Sequence, residues 1–314
     1  MKKIIFKLNA KTIAFACGIL VIASVVSISG CQLKKTAVVT PKVIDGFSSP
    51  ESVIADPVGR YIYVSNVGEK LDPTTKDGDG FISRLSSSGD VLEKKYLPQK
   101  GVLDSPKGMA IVGRTLFIAD VDRVVGFDLT TRQQTFELDF SSQETTFLND
   151  LAVVDDKTLM VSATDTGKIY KISLEEDLNF TLVVENVAGA NGLYFDTRNQ
   201  RLFVVTFGEG YQFNGKLGVV SQVNGKWKYQ ALTDTIGGLD GIAPLSDSKI
   251  IFSDWVAMDK TGLIRAYDLK TEKLSIINLS QEVNGPADFF YDEKGRNLWL
   301  PRMKEGNILV ETIK

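Results

Sequence analysis

Leu239-Asp240-Gly241-Ile242-Ala243 is followed by Lys249-Ile250-Ile251-Phe252-Ser253-Asp254 and then by Gly262-Leu263-Ile264-Arg265-Ala266-Tyr267-Asp268-Leu269. A turn signal leads into an apolar run, a second run is strongly apolar, and a third alternates apolar with polar side chains. Runs this short, rich in β-branched and aromatic residues and bounded by Gly, Asp and Ser, read as strands. The same unit returns along the chain. Its opening segment recurs as Pro50-Glu51-Ser52-Val53-Ile54, Pro106-Lys107-Gly108-Met109-Ala110, Leu148-Asn149-Asp150-Leu151-Ala152, Ala190-Asn191-Gly192-Leu193-Tyr194 and Pro286-Ala287-Asp288-Phe289-Phe290. Its second segment recurs as YIYVSN from Tyr61, TLFIAD from Thr115, TLMVSA from Thr158, RLFVVT from Arg201 and NLWLPR from Asn297.

Five units add a more polar fourth run, such as NFTLVVEN from Asn179, but the sixth stops without one. The chain's own start, Ala37 to Ile44, holds the apolar run that fills this gap. A ring closed by pairing the first and last strands removes the edges an open sheet would expose. The expected architecture is all-β: a six-bladed β-propeller of four-stranded blades over residues 41–314, with an N-terminal strand completing the last blade. A two-domain sandwich is the competing architecture. It does not explain six units spaced 56, 42, 42, 49 and 47 residues apart.

Composition narrows the chemistry. The 314 residues are 43% hydrophobic and 24% charged, as in a globular protein. Thirty-six basic against 39 acidic residues offer no general electrostatic case for a nucleic-acid partner. Histidine is absent. That excludes Ser-His-Asp and Cys-His pairs, a histidine general base and imidazole-ligated zinc. Carboxylates, amides, hydroxyls, Lys, Arg or a bound ion must carry any reaction.

Lys2, Lys3, Lys7 and Lys11 precede an apolar run from Ile13 to Val26, which ends in Ser27-Ile28-Ser29-Gly30-Cys31. This reads as a bacterial secretory signal over residues 1–30. Small residues just before a cysteine resemble a lipobox, so Cys31 is the expected lipidated first residue of the mature chain, followed by a tether over 31–40. An uncleaved membrane anchor is the alternative, although the run is short of the roughly 20 residues that span a bilayer. Removing four lysines and no acid takes the net charge from −3 to −7 and leaves no free thiol. The expected location is the bacterial cell envelope. Gln32 after the cysteine points to the outer membrane, facing the periplasm, where two membranes are present.

In a propeller the first strand of each blade lines the central channel, so equivalent residues form a ring. Here the ring is Glu51, Lys107, Asn149, Asn191, Asp240 and Ala287. Two carboxylates and two amides offer hard oxygen ligands, suited to Ca²⁺ or Mg²⁺. The alternative is that Asn-Gly, Asp-Gly and Asn-Asp serve only tight turns. A second ring, at the ends of the second strands, comprises Asn66, Asp120, Ala163, Thr206, Asp254 and Arg302, with Asp122, Asp165, Phe207, Tyr211 and Trp255 close behind. From these, Asp120, Asp254, Arg302 and Trp255, together with Asn149, are the candidate contacts to a polar, sugar-like ligand. Asp77-Gly78-Asp79-Gly80 has the look of a calcium loop but lacks its end ligands, and is expected to be a polar insertion. KWKYQ from Lys226 reads as an outer strand.

At Glu51 in PES, Asn149 in ND, Asn191 in NGL and Asp240 in DGI, the chain resembles the senescence marker protein / gluconolactonase family of six-bladed propellers. The resemblance implies one divalent cation in the channel, held by Glu51, Asn191 and Asp240, with Asn149 facing metal or substrate. Ca²⁺ is expected first, with Mg²⁺, Mn²⁺ or Zn²⁺ as alternatives. It also implies metal-dependent hydrolysis of a small polar, sugar-derived lactone or similar cyclic ester, with Asp240 assisting proton transfer. Lys107 and Ala287 depart from a liganding pattern, and Phe147 stands where the family often places an arginine. The other class left open is a non-catalytic propeller that binds a small molecule or an envelope protein and uses an ion to stiffen its channel.

Overall fold

In the computed structural model, which describes residues 40–175 and 179–313, the repeated units form six antiparallel sheets of four strands each. Blade 1 runs outward as Pro50–Ala55, Tyr61–Asn66, Phe81–Ser86 and Val91–Leu97. Blades 2 to 5 follow the same order, with first strands Pro106–Val112, Leu148–Asp155, Ala190–Asp196 and Leu239–Ser246. Blade 6 consists of Phe290–Asp292, Asn297–Arg302, Asn307–Thr312 and, outermost, the N-terminal strand Lys42–Asp45. That last strand pairs antiparallel with its neighbour, Lys42 opposite Val310 and Asp45 opposite Asn307. First strands of successive blades touch all the way round, blade 6 returning to blade 1. Lys226–Ala231 is the outer strand of blade 4. The expected signal and Cys31 lie outside the described residues, as does all of the tether except Thr40.

The core lies between blades. Phe117 and Phe136 of blade 2 pack with Leu151, Leu159 and Tyr170 of blade 3. Ile62 and Val64 of blade 1 meet Trp299, Ile308 and Val310 of blade 6, which seals the closure. Each such side chain contributes about 1.5–3 kcal/mol on burial, so closure is driven by the apolar faces of neighbouring sheets.

One irregularity repeats in every blade. The residue before each ring position faces the last residue of the second strand: Pro50 faces Asn66, Pro106 Asp120, Leu148 Ala163, Ala190 Thr206, Leu239 Asp254 and Pro286 Arg302. Pairing resumes one residue out of step, as at Val53 opposite Val64 and Phe290 opposite Trp299. A bulge therefore houses each ring residue and its follower, re-aiming both side chains. This corrects the turn reading of Asn191-Gly192 and Asp240-Gly241, which lie within strands, and neither glycine has a positive φ. The glycines answer a different need. A Cβ on Gly192 would stand 2.1 Å from the Asp240 carbonyl oxygen, and one on Gly241 would stand 2.6 Å from Asp288 Cα. Adjacent blades approach too closely here for a side chain.

Buried serines complete the ring's scaffold. Ser162 Oγ accepts from the Asp150 N–H at 3.0 Å and donates to the Asn191 carbonyl at 2.7 Å. Ser253 Oγ accepts from the Gly241 N–H at 2.8 Å and donates to the Ala287 carbonyl at 3.0 Å. Each serine satisfies a bulge N–H and ties it to the next blade. Gly192→Ala is expected to destabilise the fold by about 2–3 kcal/mol, because the obstacle is backbone and cannot swing away. Chemical denaturation measures this, and a change below about 0.5 kcal/mol would contradict the close approach.

Candidate functional site

Glu51, Lys107, Asn149, Asn191 and Asp240 are each the second residue of a first strand, so the shared bulge brings them to one end of the channel. All five are buried. Four carry an oxygen with no hydrogen-bond partner: Glu51 Oε2, Asn149 Oδ1, Asn191 Oδ1 and Asp240 Oδ1. Among the described residues, only Arg84 Nε and Thr166 Oγ1 share that condition. A buried acceptor left unmade costs roughly 1–3 kcal/mol, so four bordering one cavity are a concentrated demand for positive charge. A single water brings two protons, whereas a cation answers every acceptor around it.

Electrostatics point the same way. Burial raises Glu51 well above the usual carboxylate range, and repulsion from Asp240 and Asp288 adds to it. Burial likewise pushes Asp240 up to about 7 against the hydrogen bond from Trp255, and Asp288 up to about 7 against that from Ser52. Asp150 is raised by burial and by Asp288, although it accepts backbone N–H groups of Leu151 and Leu193, each at 2.7 Å. Against these four acids stands the Lys107 ammonium, itself lowered to about 8 by burial. Its Nζ donates to the Ser105 carbonyl at 2.7 Å and the Pro73 carbonyl at 2.9 Å, and lies 5.3 Å from the centre of the Phe147 ring. An ammonium has three donors, so one remains.

Trp255 Nε1 donates to Asp240 Oδ2 at 2.9 Å, which fixes the carboxyl and leaves Oδ1 as its free oxygen. Trp255 and the five ring residues border a cavity of about 400 Å³. Its remaining wall is dominated by Phe147, Phe207, Tyr211, Phe213, Met258 and Met303, with Tyr211 and Met258 exposed at the mouth. The insertion after blade 1's second strand adds Leu71, Pro73 and Thr74. Its Asp77 and Asp79 cap local backbone: Asp79 accepts the Glu69 N–H at 3.0 Å, and Asp77 accepts that of Asp79 at 3.3 Å.

Three expected ligand contacts lie elsewhere. Asp120 accepts the Asp104 and Ser105 N–H groups and the Arg123 guanidinium, the latter at 3.0 Å. Asp254 accepts the Val256 N–H and Arg265 Nε, both at 2.7 Å. Arg302 donates to Asn307 Oδ1 at 2.7 Å and to Gln281 and Glu282 at 3.2 Å. None borders the cavity. The end of each second strand faces the residue before the bulge, and a polar side chain there latches neighbouring loops instead of lining the cavity. Asn66 and Asp165 do the same work, accepting the Ser48 and Thr146 N–H groups. The polar wall expected from this second ring is thus an apolar one. Phe213, Met258 and Met303 were missed as wall residues, although each is an apolar residue in a loop following a second strand. Among the described residues no group of three or more His, Cys, Asp or Glu forms a metal-holding cluster. The ring depends on its two amides to complete the donor set.

No protein-family model matches the chain, and no curated protein sequence matches it significantly. Solved structures share its fold. Virginiamycin B lyase from Staphylococcus aureus superposes with a TM-score of 0.59 at 12% identity, covering 88% of this chain and 99% of that one. The β-propeller domain of Cps50 (Swd1) from Myceliophteria thermophila gives 0.60 at 9% identity, covering 88% and 100%. A 6-phosphogluconolactonase candidate from Bacteroides uniformis gives 0.57 at 16% identity, covering 84% and 80%. At these identities the likeness establishes the propeller fold that the chain has in common with them.

Proposed function

We propose that the chain is a divalent-cation-dependent hydrolase of an ester or lactone bond, tethered to the cell envelope through lipid on Cys31. The observation that carries the catalytic reading is the set of four unpartnered buried oxygens on Glu51, Asn149, Asn191 and Asp240. These residues would hold the cation, Ca²⁺ by preference for hard oxygen donors, with Mg²⁺, Mn²⁺ or Zn²⁺ as alternatives. When bound, such an ion supplies polarisation of a carbonyl oxygen and a lowered pKa for water.

The chain's own residues supply the rest. Trp255 holds Asp240 Oδ2 and so fixes the carboxyl beside the ring, where it would assist proton transfer from the attacking water, the task histidine would otherwise perform. Lys107 retains one N–H, which offers positive charge to a developing oxyanion beside the ring. Phe147, Phe207 and Trp255 exclude bulk water and thereby strengthen both interactions. A second reading, a cation staple in a non-catalytic binding propeller, is favoured by the origin of the four oxygens in four different blades.

Calorimetric titration with Ca²⁺ and hydrolysis of a lactone panel test the proposal. Glu51→Gln and Asp240→Asn are expected to weaken Ca²⁺ binding at least about 100-fold and to abolish turnover. Undiminished binding in both variants would overturn the site. Binding without turnover would leave the staple.

The pH dependence of stability has a definite sign. Asp240 and Asp288 bind their protons more tightly folded, near 7, than unfolded, near 3.8. Their contribution is therefore fully present below about pH 4 and is lost as pH rises towards 7. In chelator, the melting temperature is expected to fall by at least about 5 °C between pH 5 and 8, and saturating Ca²⁺ to remove most of that fall. A flat or rising profile in chelator would contradict the burial of these acids.

A further inference from the structure

The cavity wall has few hydrogen-bond donors left outside the cation ring. Thr164 Oγ1 is spent on the Ala190 carbonyl at 2.7 Å, and Thr74 Oγ1 on Asp72 at 2.9 Å. Trp255 Nε1 is spent on Asp240, and two of the three Lys107 protons on Pro73 and Ser105. Asp120, Asp254 and Arg302, which would have met a sugar's hydroxyls, are absent from the wall and are committed to loop backbone and neighbouring side chains. What remains is the third Lys107 N–H, the hydroxyl of Tyr211 at the mouth and the acceptor lone pairs of the two threonine hydroxyls. The surfaces offered instead are Phe147, Phe207, Phe213, Met258, Met303 and Leu71.

A polyhydroxylated ring seated there would lose its hydration and leave several hydroxyls unmade, at roughly 1–3 kcal/mol each. An apolar body loses nothing comparable and gains about 0.8 kcal/mol for each buried methylene. About 400 Å³ is room for such a body beyond a single ester group. The aromatic rings are also arranged against one another: Phe207 packs on Phe213 and Trp255 at centroid distances of 4.9 and 5.9 Å, and Phe147 stacks on Tyr211 at 5.9 Å. They form a continuous wall leading from the mouth towards the ring.

We infer that the ligand is an ester or lactone carrying an apolar acyl or aryl body, its carbonyl directed to the ring and its body against the aromatic wall. The inference rests on the hydrolase reading for its ester group alone, since the wall selects the body whether or not the bond is cleaved. Sugar-derived lactones are the wrong chemistry for this cavity.

The test is equilibrium binding to the Ca²⁺-loaded protein, followed by quenching of tryptophan emission, for γ-butyrolactone, γ-decalactone and glucono-1,5-lactone. γ-Decalactone is expected to bind at least about 100-fold more tightly than γ-butyrolactone, somewhat over half of what its six extra carbons can contribute. Glucono-1,5-lactone is expected to bind no better than γ-butyrolactone. Met258→Ser and Phe213→Ser should each weaken γ-decalactone about tenfold with Ca²⁺ affinity unchanged, a selective loss that misfolding would not produce. Affinity independent of chain length, tighter binding of glucono-1,5-lactone, or no binding of any of the three overturns the inference. Hydrolysis of the same lactones is scored separately. Selective binding of γ-decalactone without cleavage would contradict the hydrolase reading and uphold the ligand class, whereas cleavage of all three with equal affinity would do the reverse.

Discussion

Everything at the channel end depends on a single-residue slip in strand pairing, repeated around the ring. In blades 1 to 5, two residues of the first strand face one partner on the second, and the second position of the first strand is turned towards the axis. Because the blades close on each other, the slip cannot be relaxed in one blade alone. Its N–H groups are taken by Ser65, Ser162 and Ser253, and at blades 2, 4 and 5 its follower is a glycine where neighbouring backbone leaves no room for Cβ. The bulge is thus held from both sides, and the ring side chains cannot turn away to find partners elsewhere.

That rigidity explains why oxygens remain unpartnered in so well satisfied a structure. Buried polar groups nearby are paired with some care: Asp150 has two backbone donors, Ser52 Oγ donates to Asp288 at 2.5 Å, and Lys107 has two carbonyls. The exceptions fall on one oxygen each of Glu51, Asn149, Asn191 and Asp240. Leaving acceptors unmade beside the buried Glu51, Asp150 and Asp240 and the partly buried Asp288 costs stability, and a fold tolerates such a cost where a bound charge repays it. The same geometry sets the mouth apart from the inner end: polar atoms concentrate at the ring, while the loops above it turn aromatic and sulfur-containing side chains inward.

The propeller was legible because its period is written into short apolar runs. The second strands from Tyr61, Thr115, Thr158, Arg201, Lys249 and Asn297 begin where their sequences suggest. The closing strand at Lys42–Asp45 followed from the missing fourth run in the last unit. The ring residues were legible for the same reason, since alignment of equivalent units assigns equivalent positions. What escaped was the direction of side chains outside that register. Asp120, Asp254 and Arg302 have the chemistry of ligand contacts, yet each sits at a strand end where a loop's N–H groups or a neighbouring side chain is the nearer partner. Nothing in a single sequence separates a carboxylate that latches a loop from one that faces a cavity. Asn-Gly and Asp-Gly misled in a related way: local turn preference was overridden by the close approach of the next blade, a contact between residues some 50 positions apart, such as Gly192 and Asp240.

The central claim is that the four oxygens hold a divalent cation, and the most direct test is anomalous diffraction from crystals of the protein soaked in Mn²⁺, a hard cation with a usable signal. The account predicts one strong anomalous peak within bonding distance of Glu51, Asn149, Asn191 and Asp240 oxygens, displaced by excess Ca²⁺. A channel without a peak, in crystals that bind Mn²⁺ elsewhere or nowhere, would contradict it.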